Sequence, residues 1–107
     1  MKRARPDVLW TREVLDILRG APRSLRRTLV DAGERLAETP AAGKGLTGEL
    51  DGYRSVHAAG DRWRIVFRYE SDGGRIIVVF VGRRRPGTED VYEVARKLLR
   101  ARLLDDE

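Results

Sequence analysis

Hydrophobic residues in the first half of the chain recur with the spacing of amphipathic helices. From residue 23 to 38 they fall every three or four positions, on one face of a helix: Leu25, Leu29, Ala32 and Leu36. Thr11 can cap an earlier helix that stops at Gly20, and Pro22 separates the two segments. The pattern therefore predicts two helices joined as a helical hairpin.

Residues in the second half instead alternate with the two-residue period of a β-strand. In residues 62–70, aromatic and aliphatic side chains occupy one face, and three arginines with Val66 occupy the other. Residues 75–83 are apolar on both faces, which is typical of a central strand. Shorter strands are predicted at residues 6–10 and 53–59.

The segments between and after these strands carry the residues of turns and helix starts. Residues 40–52 are rich in glycine and predict a loop, and residues 71–74 predict a hairpin turn. Beyond the Pro86-Gly87 break, Thr88 can cap a last helix whose acidic first residues suit the positive end of the helix dipole. The predicted core stripe of this helix consists of Val91, Val94, Ala95 and Leu98.

A helical first half followed by a strand-rich second half predicts an α+β fold. The predicted order is β-α-α-β-β-β-α, an antiparallel sheet packed against an N-terminal helical hairpin and completed by a C-terminal helix. We expect the helices to cover one face of the sheet and the arginine-bearing face to stay more open. The 107 residues suit one domain, spanning 1–107.

Composition excludes several classes of site. Cysteine is absent and His57 is the only histidine, so no disulfide, thiol nucleophile or His-rich metal site is expected, and we expect no cofactor. No apolar run approaches the roughly 20 residues that span a bilayer, and the basic N-terminus lacks the apolar stretch of a secretory signal. A cytoplasmic protein is therefore expected.

Positive charge is concentrated in the second half of the chain. Residues 52–102 hold twelve basic and six acidic side chains, whereas residues 1–51 hold ten and eight. All but three of the 22 basic residues are arginine, whose planar fork of donors matches phosphate. A solvated basic surface is one interpretation of this excess, and a surface that binds a polyanion is the other.

Five short motifs follow one another along the chain: Leu46-Thr47-Gly48, Tyr53-Arg54, Trp63-Arg64-Ile65-Val66-Phe67, Val81-Gly82-Arg83-Arg84 and Val91-Tyr92. Their ordered combination, after a helical hairpin, resembles the RelE/ParE superfamily of bacterial type II toxin–antitoxin toxins. The resemblance covers essentially all of the chain. It implies a small toxin whose active surface is covered by a co-expressed antitoxin protein.

The resemblance implies two alternative activities, because one fold serves both branches of the superfamily. The RelE branch cuts mRNA on the ribosome without a metal and so inhibits translation. The ParE branch inhibits DNA gyrase and cuts nothing. The residues favour the mRNA endonuclease, with gyrase inhibition as the alternative and a basic nucleic-acid-binding module without catalysis as a third interpretation.

The resemblance also implies roles for individual residues. Arg64 and Arg84 match arginines that hold the phosphate and stabilise the transition state, and Tyr92 matches a tyrosine that stacks on or orients a nucleotide. His57 is the candidate general base or acid, because histidine is well suited to proton transfer near neutral pH. Asp61, four residues later, could orient His57.

Further arginines are predicted to bind RNA: Arg54, Arg62, Arg68, Arg83 and Arg85. The segment from Arg84 to Tyr92 is longer than the spacing typical of the RelE branch. Whether Tyr92 reaches the site therefore depends on the path of this segment.

Overall fold

The computed structural model describes residues 5–70, 72 and 74–104. Within these residues the fold consists of eight helices and strands, in the predicted order except for one added short strand: β1 (Asp7–Trp10), α1 (Arg12–Gly20), α2 (Arg23–Glu34), β2 (Lys44–Gly45), β3 (Arg54–Ala58), β4 (Trp63–Glu70), β5 (Arg75–Arg83) and α3 (Val91–Arg100). Short 3₁₀ turns follow α2 and precede β3. The prediction of an α+β fold is confirmed.

The five strands form one mixed sheet in the order β1-β5-β4-β3-β2. Strands β3, β4 and β5 pair antiparallel, as predicted, and the added strand β2 pairs antiparallel with β3, but β1 pairs parallel with β5. The sheet is therefore not antiparallel throughout. The reason is topological: β1 lies along the edge of β5 that faces away from β4, and only then does the chain turn into the helical hairpin. The long β4–β5 pair is thus flanked by β1 on one side and by β3 on the other.

Helices cover both faces of the sheet, which corrects the expectation of one covered and one open face. The hairpin of α1 and α2 supplies Val14, Leu18 and Leu29 to a core with Phe67 and Val78 on the first face. Helix α3 packs on the second face, where its buried residues meet apolar side chains of β4 and β5: Val91 and Ala95 against Val66, Ile77, Val79 and Phe80. The arginine-bearing face thus contains a second core.

A β-bulge in β5 changes which side chains reach this second face. Val66 pairs with Phe80, but the next residue of β4, Phe67, pairs with Val78, so Val79 is the extra residue. Val79 and Phe80 consequently both point toward α3. Beyond the bulge the alternation is reversed, and Arg84 lies on the α3 side while Arg83 lies on the other.

The helix boundaries follow the predicted caps at the start of the chain but not at its end. The side chain of Thr11 caps α1, as predicted. Helix α3 begins at Val91 and is capped by Asp90 rather than Thr88. An aspartate next to the first helical residue can accept from two of the unpaired backbone N–H groups, which places the cap closer to the helix.

Two further predictions concern the loops. The glycine-rich loop at residues 40–52 contains β2 and the 3₁₀ turn Gly48–Leu50, neither of which was predicted. The predicted turn at 71–74 includes residues 71 and 73, which lie outside the described residues. No helix in the described part of the chain is long and apolar enough to cross a bilayer.

Candidate functional site

A cleft of ≈ 490 Å³ opens on the second face of the sheet, beside the start of α3. All four residues predicted to be catalytic line it: His57, Arg64, Arg84 and Tyr92. The other lining residues come from β2, β3 and the loop residue directly before β2: Gly43, Lys44, Ser55 and Val56. The structure therefore brings the four residues into one concave surface, and their catalytic roles remain predictions.

Strand register places these side chains side by side. His57 is paired across the ladder with Arg64, and Arg64 is paired with Gly82 of β5. Directly paired residues of antiparallel strands project to the same face, so His57 and Arg64 are neighbours there. Arg84 lies two residues beyond Gly82 and returns to the same face, and its backbone N–H donates to Arg62 at 2.8 Å.

Arg84 is held by an ion pair and by an aromatic ring. Its Nη1 lies 2.6 Å from Oδ1 of Asp90, and its guanidinium carbon lies 5.1 Å from the centre of the Tyr92 ring. The side chain of Asp90 is only 6% exposed, whereas that of Arg84 is 51% exposed. Arg84 therefore has a fixed position but still presents donors to the cleft.

The Asp90 carboxylate also organises the backbone around it. Oδ1 accepts from the N–H of Arg85 at 2.8 Å and Oδ2 accepts from the N–H of Tyr92 at 3.2 Å. Burial by itself raises the pKa of Asp90, but the hydrogen bonds from Arg84 and from these two backbone groups outweigh it and lower that pKa below its ordinary value. The hydrogen bond to Asp90 raises the pKa of the Arg84 guanidinium.

Tyr92 reaches the cleft despite the long segment before it. Asp90 ties that segment back to Arg84 and Arg85, and the left-handed conformation of Gly87 turns the chain toward the helix start. The Tyr92 hydroxyl then lies 2.9 Å from Oγ of buried Ser55. Tyr92 thus links α3 to β3 and supports the guanidinium of Arg84 with its ring.

His57 and Arg64 form the other wall of the cleft, and Asp61 contacts both of them. His57 Nδ1 lies 2.9 Å from a carboxylate oxygen of Asp61, and Arg64 donates to the Asp61 carbonyl at 2.6 Å. Asp61 has a φ of 68°, so the β3–β4 turn is left-handed at this residue. Because an ionised carboxylate can only accept, Nδ1 is the nitrogen that donates to it, and in a neutral imidazole Nε2 is then the acceptor nitrogen.

The five arginines predicted to bind RNA are dispersed. Arg62 and Arg83 are exposed, and Arg83 projects to the face opposite the cleft. Arg85 pairs with Glu89 at 3.4 Å beside a second, adjoining cleft of ≈ 500 Å³. Arg68 lies four residues past Arg64, roughly 13 Å along the strand, where it pairs with Glu70. Arg54 donates to backbone carbonyls of the preceding loop.

Sequence reasoning missed three residues of the site. Ser55 is buried on β3 beneath Tyr92, Asp90 fixes Arg84, and Lys44 enters the cleft from β2. The position of Asp90 directly before the helix was a local signal, because aspartate is a preferred cap. Lys44 gave no comparable signal, since only long-range pairing with β3 brings it to this face.

Solved structures define the class of fold. A structure of the toxin–antitoxin complex RelBE2 from Mycobacterium tuberculosis matches with a TM-score of 0.68 and 22% identity over 76% of this chain and 100% of that chain. A mutant of the E. coli toxin RelE in the free state matches with a TM-score of 0.68 and 16% identity, over 91% and 98% of the two chains. A YoeB/ParE toxin from Agrobacterium tumefaciens gives 0.61 and 22%, over 74% and 99%. The architecture is thus that of RelE/ParE toxins.

The sequence itself assigns the family. Residues 8–86 match the model of the ParE toxin family of type II toxin–antitoxin systems. The chain therefore belongs to this family and is a type II toxin of the RelE/ParE superfamily. Comparison with curated proteins gives no match.

Proposed function

We propose that this toxin is an endoribonuclease that cuts mRNA on the ribosome and thereby inhibits translation. One observation carries the proposal: His57, Arg64, Arg84 and Tyr92 converge on one cleft. A base and two guanidinium groups are suited to cleavage through the ribose 2′-hydroxyl, and an aromatic ring is suited to stacking on an unpaired nucleotide. In such cleavage the protein's groups must remove a proton from the 2′-oxygen, stabilise the charge of the phosphorane and protonate the leaving 5′-oxygen.

His57 acts as the general base in this proposal. Its Nδ1 donates to Asp61, so Nε2 accepts the proton of the 2′-hydroxyl as the 2′-oxygen attacks the phosphorus. The bond from phosphorus to the 5′-oxygen then breaks, leaving a 2′,3′-cyclic phosphate and a 5′-hydroxyl. The imidazolium or a water molecule returns a proton to that 5′-oxygen.

Arg64 and Arg84 stabilise the negative charge of the phosphorane. Arg64 is fixed by the Asp61 carbonyl and Arg84 by Asp90 and Tyr92, so neither guanidinium needs to reorganise as charge develops. The second cleft shares Arg84 and Tyr92 with the first and is also lined by Arg85 and Arg96. A single-stranded RNA that crosses both clefts would place the phosphate at the cleavage site next to Arg84.

The natural partner in this proposal is an antitoxin encoded with the toxin. Two observations support it: the family assignment, and the relation of the fold to a toxin solved in its toxin–antitoxin complex. An arginine-rich cleft favours an acidic segment that folds on binding. Such a segment would neutralise the same guanidinium groups that hold RNA.

Cleavage of mRNA on purified ribosomes tests the function. Wild type should cut the message, and His57→Ala should slow the single-turnover rate by about 10²–10⁴-fold, the usual contribution of a general base. Arg64→Ala and Arg84→Ala should also slow it, whereas Arg27→Ala on exposed α2 is the matched arginine control and should not. If cells expressing wild type stop growing while the 5′ ends of their transcripts stay intact, the nuclease proposal fails.

A second candidate function is inhibition of DNA gyrase. The matching family model is that of ParE toxins, which favours this alternative. Supercoiling by purified gyrase separates the two proposals. Inhibition of supercoiling by a toxin that leaves mRNA intact would establish the alternative, and unaffected gyrase beside cleaved mRNA would exclude it.

A further inference from the structure

We infer that Lys44 binds a substrate phosphate in the cleft and that Arg54 positions it. The inference rests on the proposed function, since it takes single-stranded RNA as the ligand. It assigns two residues a task outside the set of His57, Arg64, Arg84 and Tyr92. It also gives Arg54 a role other than direct contact with RNA.

Lys44 lies on the face that carries the candidate catalytic residues. Its Cα pairs with Ser55 in the β2–β3 ladder, and Ser55 is the residue that bonds Tyr92. Paired residues share a face, so Lys44 lies on the same side of β3 as His57, which is two residues beyond Ser55. Lys44 accordingly lines the cleft together with His57 and Arg64.

Arg54 holds the loop that presents Lys44. Its Nε donates to the carbonyl of Ala42 at 3.0 Å, and its Nη2 donates to those of Ala41 and Gly43 at 2.9 Å each. Three carbonyls on one guanidinium fix the backbone of residues 41–43 against β3. Three of the five N–H donors of the guanidinium are therefore already used on the loop, directly before Lys44.

Gly43 shows that the loop is closely fitted to the sheet. Its φ is +82°, and a Cβ at this position would lie 2.3 Å from the carbonyl oxygen of Ser55. A residue with a side chain would thus push the loop away from β3. Lys44 is therefore presented by a tightly packed backbone and not by an unconstrained loop.

Charge explains what Lys44 adds to the cleft. Arg84 forms an ion pair with Asp90, and Nδ1 of His57 hydrogen-bonds to Asp61. Among the described residues, no carboxylate lies within ion-pair distance of the exposed Lys44 ammonium. A strongly hydrated point charge that has no carboxylate neighbour among these residues is suited to a phosphate oxygen. A nucleotide that contacts both Arg84 and Lys44 would span the cleft.

Binding of a short single-stranded 2′-O-methyl RNA tests the assignment without cleavage, because this RNA lacks the attacking hydroxyl. Its dissociation constant is measured by fluorescence anisotropy over a series of salt concentrations. Lys44→Ala should reduce the slope of log K against log salt by about 0.7 and weaken binding roughly fivefold at 0.1 M salt. Lys44→Arg should keep the slope, and Lys97→Ala on α3 is the matched lysine control.

The role of Arg54 is tested by a double-mutant cycle. If Arg54 acts by positioning Lys44, Arg54→Ala should weaken binding, and the double variant should bind no more weakly than Lys44→Ala. Additive losses would show instead that Arg54 contacts RNA itself and would overturn the positioning role. Far-UV circular dichroism and thermal melting of each variant identify any loss that comes from unfolding.

The outcomes separate this inference from the proposed function. Wild type that binds the 2′-O-methyl RNA but does not cut mRNA would overturn the nuclease alone. Unchanged slope and affinity in Lys44→Ala, with wild type binding, would overturn the Lys44 assignment alone. Absence of salt-dependent binding by wild type that still cuts mRNA on ribosomes would overturn the Lys44 assignment and leave the nuclease standing.

Discussion

At the scale of single residues, Asp90 connects the stability of the fold to the geometry of the site. One carboxylate caps α3, fixes the backbone at Arg85 and holds the Arg84 guanidinium. These tasks are joined because the side chain is buried and its hydrogen bonds favour the ionised form. A change at Asp90 should therefore alter stability in a way that depends on pH.

Asp90→Asn should lower the free energy of unfolding by about 1 kcal/mol at pH 7, because the ion pair with Arg84 loses its negative charge. The loss stays this small because asparagine can still cap the helix and because Arg84 is half exposed to solvent. The pKa of Asp90 is lowered in the folded state. The stabilisation of the fold by the ionised Asp90 is therefore complete above the ordinary aspartate pKa near 4. It is lost as the pH falls through the lower pKa that Asp90 has in the folded state. Urea unfolding at pH 7, 5 and 3 measures the difference.

The difference between wild type and Asp90→Asn should accordingly be equal at pH 7 and 5 and smaller at pH 3. Glu89→Gln is the matched control, because the neighbouring Glu89 side chain is 80% exposed and should contribute little at any pH. An equal difference at pH 7 and pH 3 would show that the charge of Asp90 does not stabilise the fold.

At the scale of elements, the sequence predicted what depends on local pattern. The alternation in β4 and the cap at Thr11 led to the observed elements because each signal lies within a few residues. The bulge at Val79 could not be predicted, because β5 is apolar on both faces and its sequence therefore shows no alternation that a bulge would interrupt. Strand β2 was missed because its two residues are a strand only through pairing with β3.

Helix α3 illustrates a second limit. Its apolar stripe was predicted from spacing, and Val91 and Ala95 are indeed buried. A stripe shows that a helix packs against something but does not show which face of the sheet receives it. That choice places Tyr92 over Ser55, and it depends on the path of the segment between Arg84 and Asp90.

The segment that follows α3 provides a test with an internal control. Leu104 is 1% exposed in the second core, whereas the adjacent Leu103 is 48% exposed. Leu104→Ala should lower the free energy of unfolding by about 2–4 kcal/mol, because it leaves a cavity. Leu103→Ala should change it by less than about 0.5 kcal/mol. Urea unfolding followed by circular dichroism measures both, and equal effects would contradict the burial of Leu104.

At the scale of the whole molecule, one sheet separates two cores. The first core contains Phe67 and Val78 and the second contains Val66 and Val79, so consecutive residues of β4 and β5 serve opposite cores. An α+β fold could be predicted from the order of segments. The division into two cores could not be predicted, because it arises only when helices pack against both faces of the sheet.

This arrangement predicts that the two cores unfold together, because neither can open without disrupting strands that also form the other. Both tryptophans, Trp10 and Trp63, pack against the first core, and Leu104 lies in the second. Leu104→Ala should therefore shift the tryptophan-fluorescence transition in urea by the same amount as the circular dichroism transition, with no change in slope. Leu103→Ala should move neither. A fluorescence midpoint that stays in place while the circular dichroism midpoint falls would show that the α3 side unfolds independently of the helical hairpin.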